Sequence, residues 1–577
     1  RPVKKFNPGT VVLGGSRWRG ITLMVGFALM AVALEGRLLY LQAVDKEFLS
    51  AQGDSRHLAN VNISAHRGPI TDRHGEMLAV STPVDSIAAD PQEMRPAMNR
   101  LAELALALGM DESSLARKIT SNPDRQFIWL KRHMRPDSAA RVMQLGIPGI
   151  ETRREYRRYY PSGEVTSHVI GFTNIDDWGQ EGLELAFNHY LEGKEGSKRV
   201  LRDRFRRTIQ DVELIDPAQP GRTLATSLDL RLQYLAYREL KQAVQDNGAN
   251  SGSVVILDVE TGEVLAMVNQ PSYNPNDGAQ RKPGPIRNRA VTDIFEPGSS
   301  FKPFVVAAAL ESGRYQADSL IDTSPGFVEV SGSVVIEDPN NLGEIDVTTV
   351  LAKSSNVGMT KIALELGQQD LWTVLSDFGI GRSTTSGFPG ESSGVLTDFQ
   401  HWRPVGQATL SYGYGVSVTA LQLARAYATV AAGGIFRPVS VRVVRDPLPV
   451  ERVISSATSA ALLDMLEVVV SVGSGSLASV PGFRVAGKTG TAKKSGVGGY
   501  SEDKYIAIFA GIAPVTEPKL VVVVVIDEPR TGVYYGGEVA APVFANVASG
   551  ALRLLGVPPD NLQEPALHIA ALTEASP

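Results

Sequence analysis

The chain has 577 residues, of which 43% are hydrophobic and 21% are charged, and its net charge is −5. This length predicts two or three domains, and the charge balance gives no indication of nucleic-acid binding. The absence of cysteine excludes thiol catalysis and thiolate metal sites, and no H-E-x-x-H spacing of a zinc hydrolase is present. We therefore expect no metal and no cofactor.

The N-terminal segment predicts a membrane anchor over residues 21–42, after a cytoplasmic tail over residues 1–20. Residues 21–34 are uncharged and mostly apolar, and the preceding charges are all basic (Arg1, Lys4, Lys5, Arg17 and Arg19), so the remainder is expected to be exported. The uncharged run is shorter than a hydrocarbon core of roughly 30 Å, so the helix is expected to continue past Glu35 and Arg37. These charges belong near the outer interface or against a partner helix. A cleaved signal peptide is the alternative, because Ala31-Val32-Ala33 has the small-x-small pattern.

Residues 55–224 are charge-rich and contain no catalytic spacing, which predicts a non-catalytic pedestal domain of the dimerisation type. A short strand and a polar turn are expected over residues 65–76, and a helix over residues 97–108. A basic cluster near the end of this region is interpreted as a solvated strand or hairpin face rather than a binding patch; it comprises Lys198, Arg199, Arg202, Arg204, Arg206 and Arg207.

Residues 225–556 have an α+β pattern. A helix is predicted over 228–244, a hairpin over 253–268 with its turn at Thr261-Gly262, and strands over 505–512 and 520–526. Strands at both ends with helices between them predict one antiparallel sheet flanked by helices. A helix over 542–555 follows, and residues 557–577 are predicted to be a disordered tail.

The first polar motif in this region is Ser299-Ser300-Phe301-Lys302. The preceding Pro-Gly forms a turn and an apolar helical run follows, which predicts Ser299 at a helix N-terminus, where free N–H groups favour a developing anion. Lys302 follows one turn later, and a buried lysine with a lowered pKa can accept the serine proton. In isolation, the same motif is more typical of a helix cap beside a solvated lysine, and only the other two motifs make that interpretation unlikely.

The second motif is Ser354-Ser355-Asn356, between two predicted helices. A turn between helices can project Ser354 and Asn356 to the same side. The serine can pass a proton to a leaving amine, and the asparagine can hold Lys302 and a substrate amide. A helix-capping role fits the motif equally well when it is considered alone.

The third motif is Lys488-Thr489-Gly490-Thr491, which predicts an edge strand beside a cleft. Lys488 and Thr489 can bind a substrate carboxylate, and Gly490 is expected to let a ligand backbone approach closely. The N–H of Thr491 and that of Ser299 can form an oxyanion hole. The three motifs occur in the order S-x-x-K, S-x-N and K-T-G, which is the signature of active-site-serine enzymes that bind penicillin.

With these motifs the chain resembles the class B penicillin-binding proteins, from the anchor to about residue 555. The pedestal stretch Arg67–Arg73 belongs to the resemblance, and the stretches Leu410–Thr419 and Phe388–Glu391 are most similar to the division-specific members of pseudomonads and their relatives. The resemblance implies a penicillin-binding, serine β-lactamase-like fold. It also implies that Tyr414 and the pair Tyr534-Tyr535 line the cleft, with Tyr535 contacting substrate.

The resemblance further implies a peptidoglycan D,D-transpeptidase that β-lactams inhibit. Ser299 would attack the D-Ala–D-Ala bond of a stem peptide, Lys302 would be the base, and Lys488, Thr489 and Thr491 would hold the carboxylate and the oxyanion. The implied partners are lipid II-derived glycan strands, a divisome glycosyltransferase of the SEDS type and other divisome proteins. The implied location is the division septum, with the catalytic domain in the periplasm. One departure is Ser300-Phe301, where Thr-Val is familiar.

Three other protein classes have features in common with this sequence. A serine β-lactamase needs a deacylation base, and no E-x-x-x-N-type segment lies between Asn356 and Lys488. A penicillin sensor needs several spanning helices, whereas one apolar segment is present. A catalytically silent divisome scaffold has no physical need for intact Ser299, Lys302 and Lys488. A specialised or conditional paralogue of the division enzyme stays open.

Overall fold

The computed structural model describes residues 17–44, 46–47, 58–202, 208–332, 334–446, 448–496 and 498–561. Its first element is the helix α1 (Arg17–Ala43), which is mostly exposed from Trp18 onward and is long and apolar enough over Trp18–Ala43 to cross a membrane. At 1.5 Å per residue, α1 is about 40 Å long, which exceeds a hydrocarbon core of roughly 30 Å. The helix therefore continues past Glu35 and Arg37, as predicted.

The chain divides into two compact units. The first contains residues 1–65, 85–154 and 194–219, and the second contains residues 66–84, 155–193 and 220–577. Parts of the predicted pedestal therefore belong to the same compact unit as the three polar motifs.

Strands occur from residue 58 to residue 527, and most of them pair antiparallel. They are β1 (Leu58–Ile63), β2 (Ile70–Thr71), β3 (Met77–Ala89), β4 (Ile128–Met134), β5 (Ile150–Tyr159), β6 (Gly196–Arg202), β7 (Thr208–Asp216), β8 (Leu224–Ala225), β9 (Ser251–Asp258), β10 (Val264–Gln270), β11 (Leu320–Asp322), β12 (Phe327–Val330), β13 (Val334–Glu337), β14 (Glu344–Asp346), β15 (Val395–Leu396), β16 (Val416–Ser417), β17 (Ile435–Phe436), β18 (Glu451–Arg452), β19 (Ala486–Gly496), β20 (Gly499–Ala513) and β21 (Leu520–Asp527).

Helices alternate with these strands. After α1 they are α2 (Pro91–Met94), α3 (Leu101–Leu108), α4 (Glu112–Thr120), α5 (Pro136–Gln144), α6 (Ser167–Ile170), α7 (Gly182–Ala186), α8 (Asn188–Leu191), α9 (Leu230–Asp246), α10 (Pro283–Ile286), α11 (Arg289–Thr292), α12 (Lys302–Glu311), α13 (Val347–Ala352), α14 (Asn356–Glu365), α15 (Gln368–Asp377), α16 (Pro404–Leu410), α17 (Ala420–Ala431), α18 (Ser456–Ser471), α19 (Gly536–Val539) and α20 (Ala541–Leu554).

In the first unit, β1, β6 and β7 form an antiparallel sheet, and helices α3 to α5 enclose a separate apolar core with β4. The predicted basic face lies on this sheet, where Lys198 and Arg199 of β6 pair with Asp211 and Glu213 of β7. Both pairs are partly exposed, so this part of the prediction of a solvated face is confirmed. The remaining basic residues of the cluster, from Arg204 onward, lie outside the described residues.

In the second unit, the main sheet has the antiparallel order β10-β9-β21-β20-β19. The first and last strands of the segment meet at its centre, as predicted. Strand β21 has the sequence LVVVVVID because both of its faces are buried: Val521 and Val523 join one core cluster, and Val522 and Val524 join the other. Helices α9 and α20 pack on one face, and α12, α17 and α18 pack on the other, so the α+β architecture is confirmed.

The end of the described chain differs from the predicted disordered tail. Asp560 accepts hydrogen bonds from the backbone N–H groups of Arg484, at 2.7 Å, and Thr516, at 3.2 Å. The N–H of Asn561 donates to the carbonyl of Gly482. The prediction is therefore wrong for residues 557–561, because a composition rule cannot register these long-range bonds, and residues 562–577 lie outside the described residues.

Candidate active site

Ser299 lies in a single 3-10 turn over Gly298–Phe301, and α12 begins directly after it at Lys302. Pro303 is in the first turn of α12, where its missing N–H costs no helical bond. Gly298 has a φ of 53°, a left-handed conformation that suits glycine, and its N–H donates to the carbonyl of Gly413 at 3.2 Å. The turn therefore places Ser299 at a helix start, half-buried between two buried residues.

Lys302 is fully buried, and its ammonium group faces the second motif. Its Nζ donates to the carbonyl of Ser354 at 2.5 Å, to Ser354 Oγ at 3.1 Å and to Asn356 Oδ1 at 2.8 Å. The predicted hold of Asn356 on Lys302 is present. Among the described residues, Ser299 Oγ has no hydrogen-bond partner, so Lys302 and Ser299 are not hydrogen-bonded to each other in this structure.

The environment of Lys302 favours its neutral form. Burial lowers the pKa of Lys302 well below its ordinary range, and the charge of Lys488 lowers it further, whereas Asp338 acts in the opposite direction. A neutral amine has two N–H donors and one lone pair, so it can satisfy two of its acceptors and still accept a proton.

Ser354 connects the two lysines of the site. It lies between α13 and α14 with a φ of 61°, which is strained for a residue other than glycine. Its Oγ accepts from Lys302 Nζ and from Lys488 Nζ, both at 3.1 Å. Because a hydroxyl accepts through its lone pairs, its own proton is free to be donated elsewhere.

Lys488 and the rest of the third motif lie on β19, which is an edge strand of the main sheet, as predicted. Lys488 is fully buried, and burial lowers the pKa of Lys488 to about 7. Thr489 Oγ1 is 2.8 Å from Ser474 Oγ, and Thr491 Oγ1 accepts from the N–H of Gly536 at 2.9 Å. The strand thus presents one cation and two anchored hydroxyls.

Gly490 packs closely against another segment of the protein. A Cβ at this position would lie 2.6 Å from the carbonyl oxygen of Pro297 and 3.1 Å from Ser300 Oγ. The close approach is therefore made by the nucleophile turn of the protein itself, which the missing side chain allows to pack against β19. The predicted approach of a ligand backbone at Gly490 stays a prediction.

Of the predicted cleft tyrosines, Tyr414 contacts β19 directly, and Tyr535 precedes a residue that bonds to this strand. Tyr414 OH accepts from the N–H of Lys493 at 3.3 Å, and its ring meets that of Tyr500 edge to face at 5.3 Å. Tyr535 is 55% exposed and directly precedes Gly536, which is bonded to Thr491. Its ring packs on Tyr534 at 4.6 Å. Tyr414 therefore flanks β19 at Lys493, and Tyr535 lies near Thr491.

Asp338 is a residue of this site that the sequence did not reveal. Its carboxylate accepts from the hydroxyl of Ser355, and from the N–H groups of Asn356 at 2.5 Å and Val357 at 3.3 Å. Asp338 therefore caps the first N–H groups of α14 and fixes the side chain of Ser355 and the backbone of Asn356 in the second motif. No local motif marks Asp338, because it lies in a loop 16 residues before Ser354. The only feature in the sequence that could have drawn attention to it is an acidic residue directly before Pro339.

Two known protein families match this chain, and several relatives align with most of its length. The family described as Penicillin binding protein transpeptidase domain matches residues 252–549, and the Penicillin-binding Protein dimerisation domain matches residues 62–226. The chain is 46% identical to the peptidoglycan D,D-transpeptidase FtsI of Escherichia coli K12, covering 94% of this chain and 93% of that one. It is 41% identical to the probable peptidoglycan D,D-transpeptidase PbpC of Pseudomonas aeruginosa, with coverages of 95% and 97%. Penicillin-binding protein 3 of Mycobacterium tuberculosis, solved with aztreonam, matches with a TM-score of 0.68 at 28% identity, with coverages of 87% and 98%.

Proposed function

The chain belongs to the class B penicillin-binding proteins and is a peptidoglycan D,D-transpeptidase, and we propose that Ser299 is its nucleophile and Lys302 its general base. One observation carries these roles. The buried Nζ of Lys302 bonds Ser354 and Asn356, and Lys488 bonds the same serine hydroxyl. This network keeps a neutral amine one helical turn from Ser299.

In the first half-reaction, Ser299 Oγ attacks the carbonyl carbon between the two D-Ala residues of a stem peptide, and Lys302 accepts its proton. The N–H groups of Ser299 and Thr491 stabilise the oxyanion. Ser354 passes a proton to the departing amine of D-Ala and takes one from Lys302 through their hydrogen bond, which leaves an ester on Ser299 and Lys302 neutral again. The amine of a second stem peptide then attacks this ester and forms the cross-link, and the proton that this amine loses passes through Lys302 to Ser299 Oγ, which frees the serine.

The terminal carboxylate of the donor peptide is bound by Lys488, Thr489 and Thr491. A charged amine and two hydroxyls on one edge strand fit a carboxylate, and charge-assisted bonds of this type are stronger than neutral ones. Strand β19 is the last strand of its sheet, so its free edge can pair with the extended peptide, with Tyr414 and Tyr535 on its flanks. A β-lactam occupies the same site as an acylating substitute for D-Ala–D-Ala.

The role of Lys302 is tested with the full chain in detergent and a pentapeptide-bearing glycan substrate. Lys302→Ala is expected to lower the rate of D-Ala release by a factor of roughly 10²–10⁴, which is typical for loss of a general base. Lys353→Ala is the matched control, because Lys353 is exposed on the same turn as Ser354. Equal release by wild type and Lys302→Ala would refute the assignment.

We also propose that the enzyme acts at the division septum, anchored by α1 with residue 65 onward in the periplasm. The basic residues before residue 20 support this orientation. The charges of Glu35 and Arg37 are costly against lipid, which supports a contact with a polytopic glycosyltransferase of the SEDS type. Selective depletion is expected to give filaments. Rounded cells would assign the protein to elongation, and an unchanged morphology would indicate a conditional paralogue.

A further inference from the structure

The helix α17 makes a buried hydrogen bond to the nucleophile turn. Tyr427, in the middle of α17, donates from its hydroxyl to the backbone carbonyl of Ser300 at 2.8 Å. Both residues have no solvent-exposed surface. A buried hydroxyl without water around it depends on such a partner, so this bond links the helix to the residue directly after Ser299.

The same helix also secures the chain that enters the turn. Phe295 and Val418 exchange two backbone hydrogen bonds, of 3.0 and 2.9 Å, and Val418 lies two residues before the start of α17. The helix start is itself fixed by a reciprocal capping box between Thr419 and Gln422. Ser299 therefore lies between two segments that are both tied to α17.

The position of the Tyr427 hydroxyl is set by packing of its ring. The ring meets Phe304 edge to face, with centroids 5.4 Å apart. Phe304 in turn contacts Phe301 at 5.6 Å and Phe378 at 5.0 Å. Phe301 is the large residue inside the first motif, and it is fully buried in this aromatic cluster. Removing the hydroxyl alone therefore leaves the ring in place.

We propose that Tyr427 is a positioning residue of the acylation step, acting through the Ser300 carbonyl on the orientation of Ser299. The inference rests on the proposed role of Ser299 as nucleophile. Attack requires the serine oxygen close to its reacting position, and a misplacement of about 1 Å caused by a distant group can lower the rate about 10²-fold. Tyr427 contacts neither substrate nor reacting atoms, so its effect is on the rate of acylation rather than on binding.

The test compares Tyr427→Phe with Tyr273→Phe in the full chain. Tyr273 is a matched control: it is 1% exposed, and its hydroxyl donates to the backbone carbonyl of Ser167 at 3.0 Å, away from the three motifs. Acylation by a fluorescent penicillin is followed at increasing concentrations, which separates the Kd of the non-covalent complex from the limiting rate constant. All proteins are measured well below the unfolding midpoint of the less stable variant, so that every protein is folded during the assay.

Tyr427→Phe is expected to lower the limiting acylation rate constant about tenfold, with Kd unchanged within about twofold. Tyr273→Phe is expected to leave both constants unchanged while lowering the unfolding midpoint by a similar amount. Unchanged acylation in Tyr427→Phe would overturn the proposal, as would an equal loss in both variants. If wild type forms no adduct on Ser299, the proposed nucleophile is wrong instead, so the two failures are distinguishable.

Discussion

Replacement of Asp338 by asparagine is expected to shift the pH dependence of acylation to lower pH and to destabilise the fold. Asp338 is 9% exposed, and its charge raises the pKa of Lys302 against the larger lowering by burial. Without that charge, the Lys302 pKa falls further. Because the neutral amine is the base, the acid limb of the acylation rate then lies at lower pH than in wild type.

The size of the destabilisation follows from the three bonds that the carboxylate accepts, from Ser355, Asn356 and Val357. An asparagine amide can still accept from the two N–H groups, so the main change is loss of charge. Bonds to a charged acceptor contribute about 1.5–3 kcal/mol and neutral ones about 0.5–1.5 kcal/mol. For the two N–H bonds that an asparagine keeps, the difference is about 2–3 kcal/mol of unfolding free energy.

The assay is the limiting rate of penicillin acylation between about pH 5 and pH 9, together with urea unfolding. Asp346→Asn is the matched control, because Asp346 caps α13 through the N–H of Thr349 at 2.7 Å and does not shift the pKa of Lys302. It should lose stability and keep the wild-type pH profile. The reasoning is refuted if the acylation rate of Asp338→Asn falls on the acid side at the same pH as that of wild type, or at higher pH.

Three further predictions concern the third motif. Lys488→Ala should weaken a carboxylate-bearing penicillin by about 1.5–3 kcal/mol more than its methyl ester, measured as Kd; equal losses would indicate strand disruption. Because the Lys488 pKa is about 7 in the fold and about 10.4 unfolded, the unfolded chain binds more protons between these values, so the unfolding free energy contributed by Lys488 rises with pH there. In Lys488→Met, the unfolding free energy measured with urea should therefore rise less between about pH 7 and pH 9 than it does in wild type. A rise equal to that of wild type would contradict this prediction. Gly490→Ala should slow acylation by displacing the turn at Pro297, and wild-type rates would show that the strand adapts.

The parts of the fold that could be predicted are those encoded by local periodicity. The hairpin of β9 and β10, the apolar run of β21 and the helices beside Ser354 appear close to their predicted positions, because each is a continuous pattern of burial. The order of the three motifs also predicted that Lys302, Ser354, Asn356 and Lys488 act together, and the structure brings their side chains into one hydrogen-bonded network.

The parts that could not be predicted depend on contacts between segments that are distant in sequence. Asp338 reaches Ser355 from a separate loop, and no spacing rule connects the two. The sequence predicts ligand approach at Gly490, but it does not indicate that the atom nearest to the missing side chain is the carbonyl oxygen of Pro297, almost 200 residues earlier. A sequence pattern shows which residue types are present, but it does not show which distant segment of the chain packs against them in the folded protein.

Intact-protein mass spectrometry after addition of a penicillin tests the central claim most directly. Wild type and Ser300→Ala are expected to gain the mass of one penicillin, with the wild-type adduct mapping to Ser299, and Ser299→Ala is expected to gain none. The adduct should persist for minutes, because the sequence contains no evident deacylation base. A wild-type adduct on Ser300, an adduct that survives in Ser299→Ala, or hydrolysis within seconds would contradict a transpeptidase built on Ser299 and Lys302.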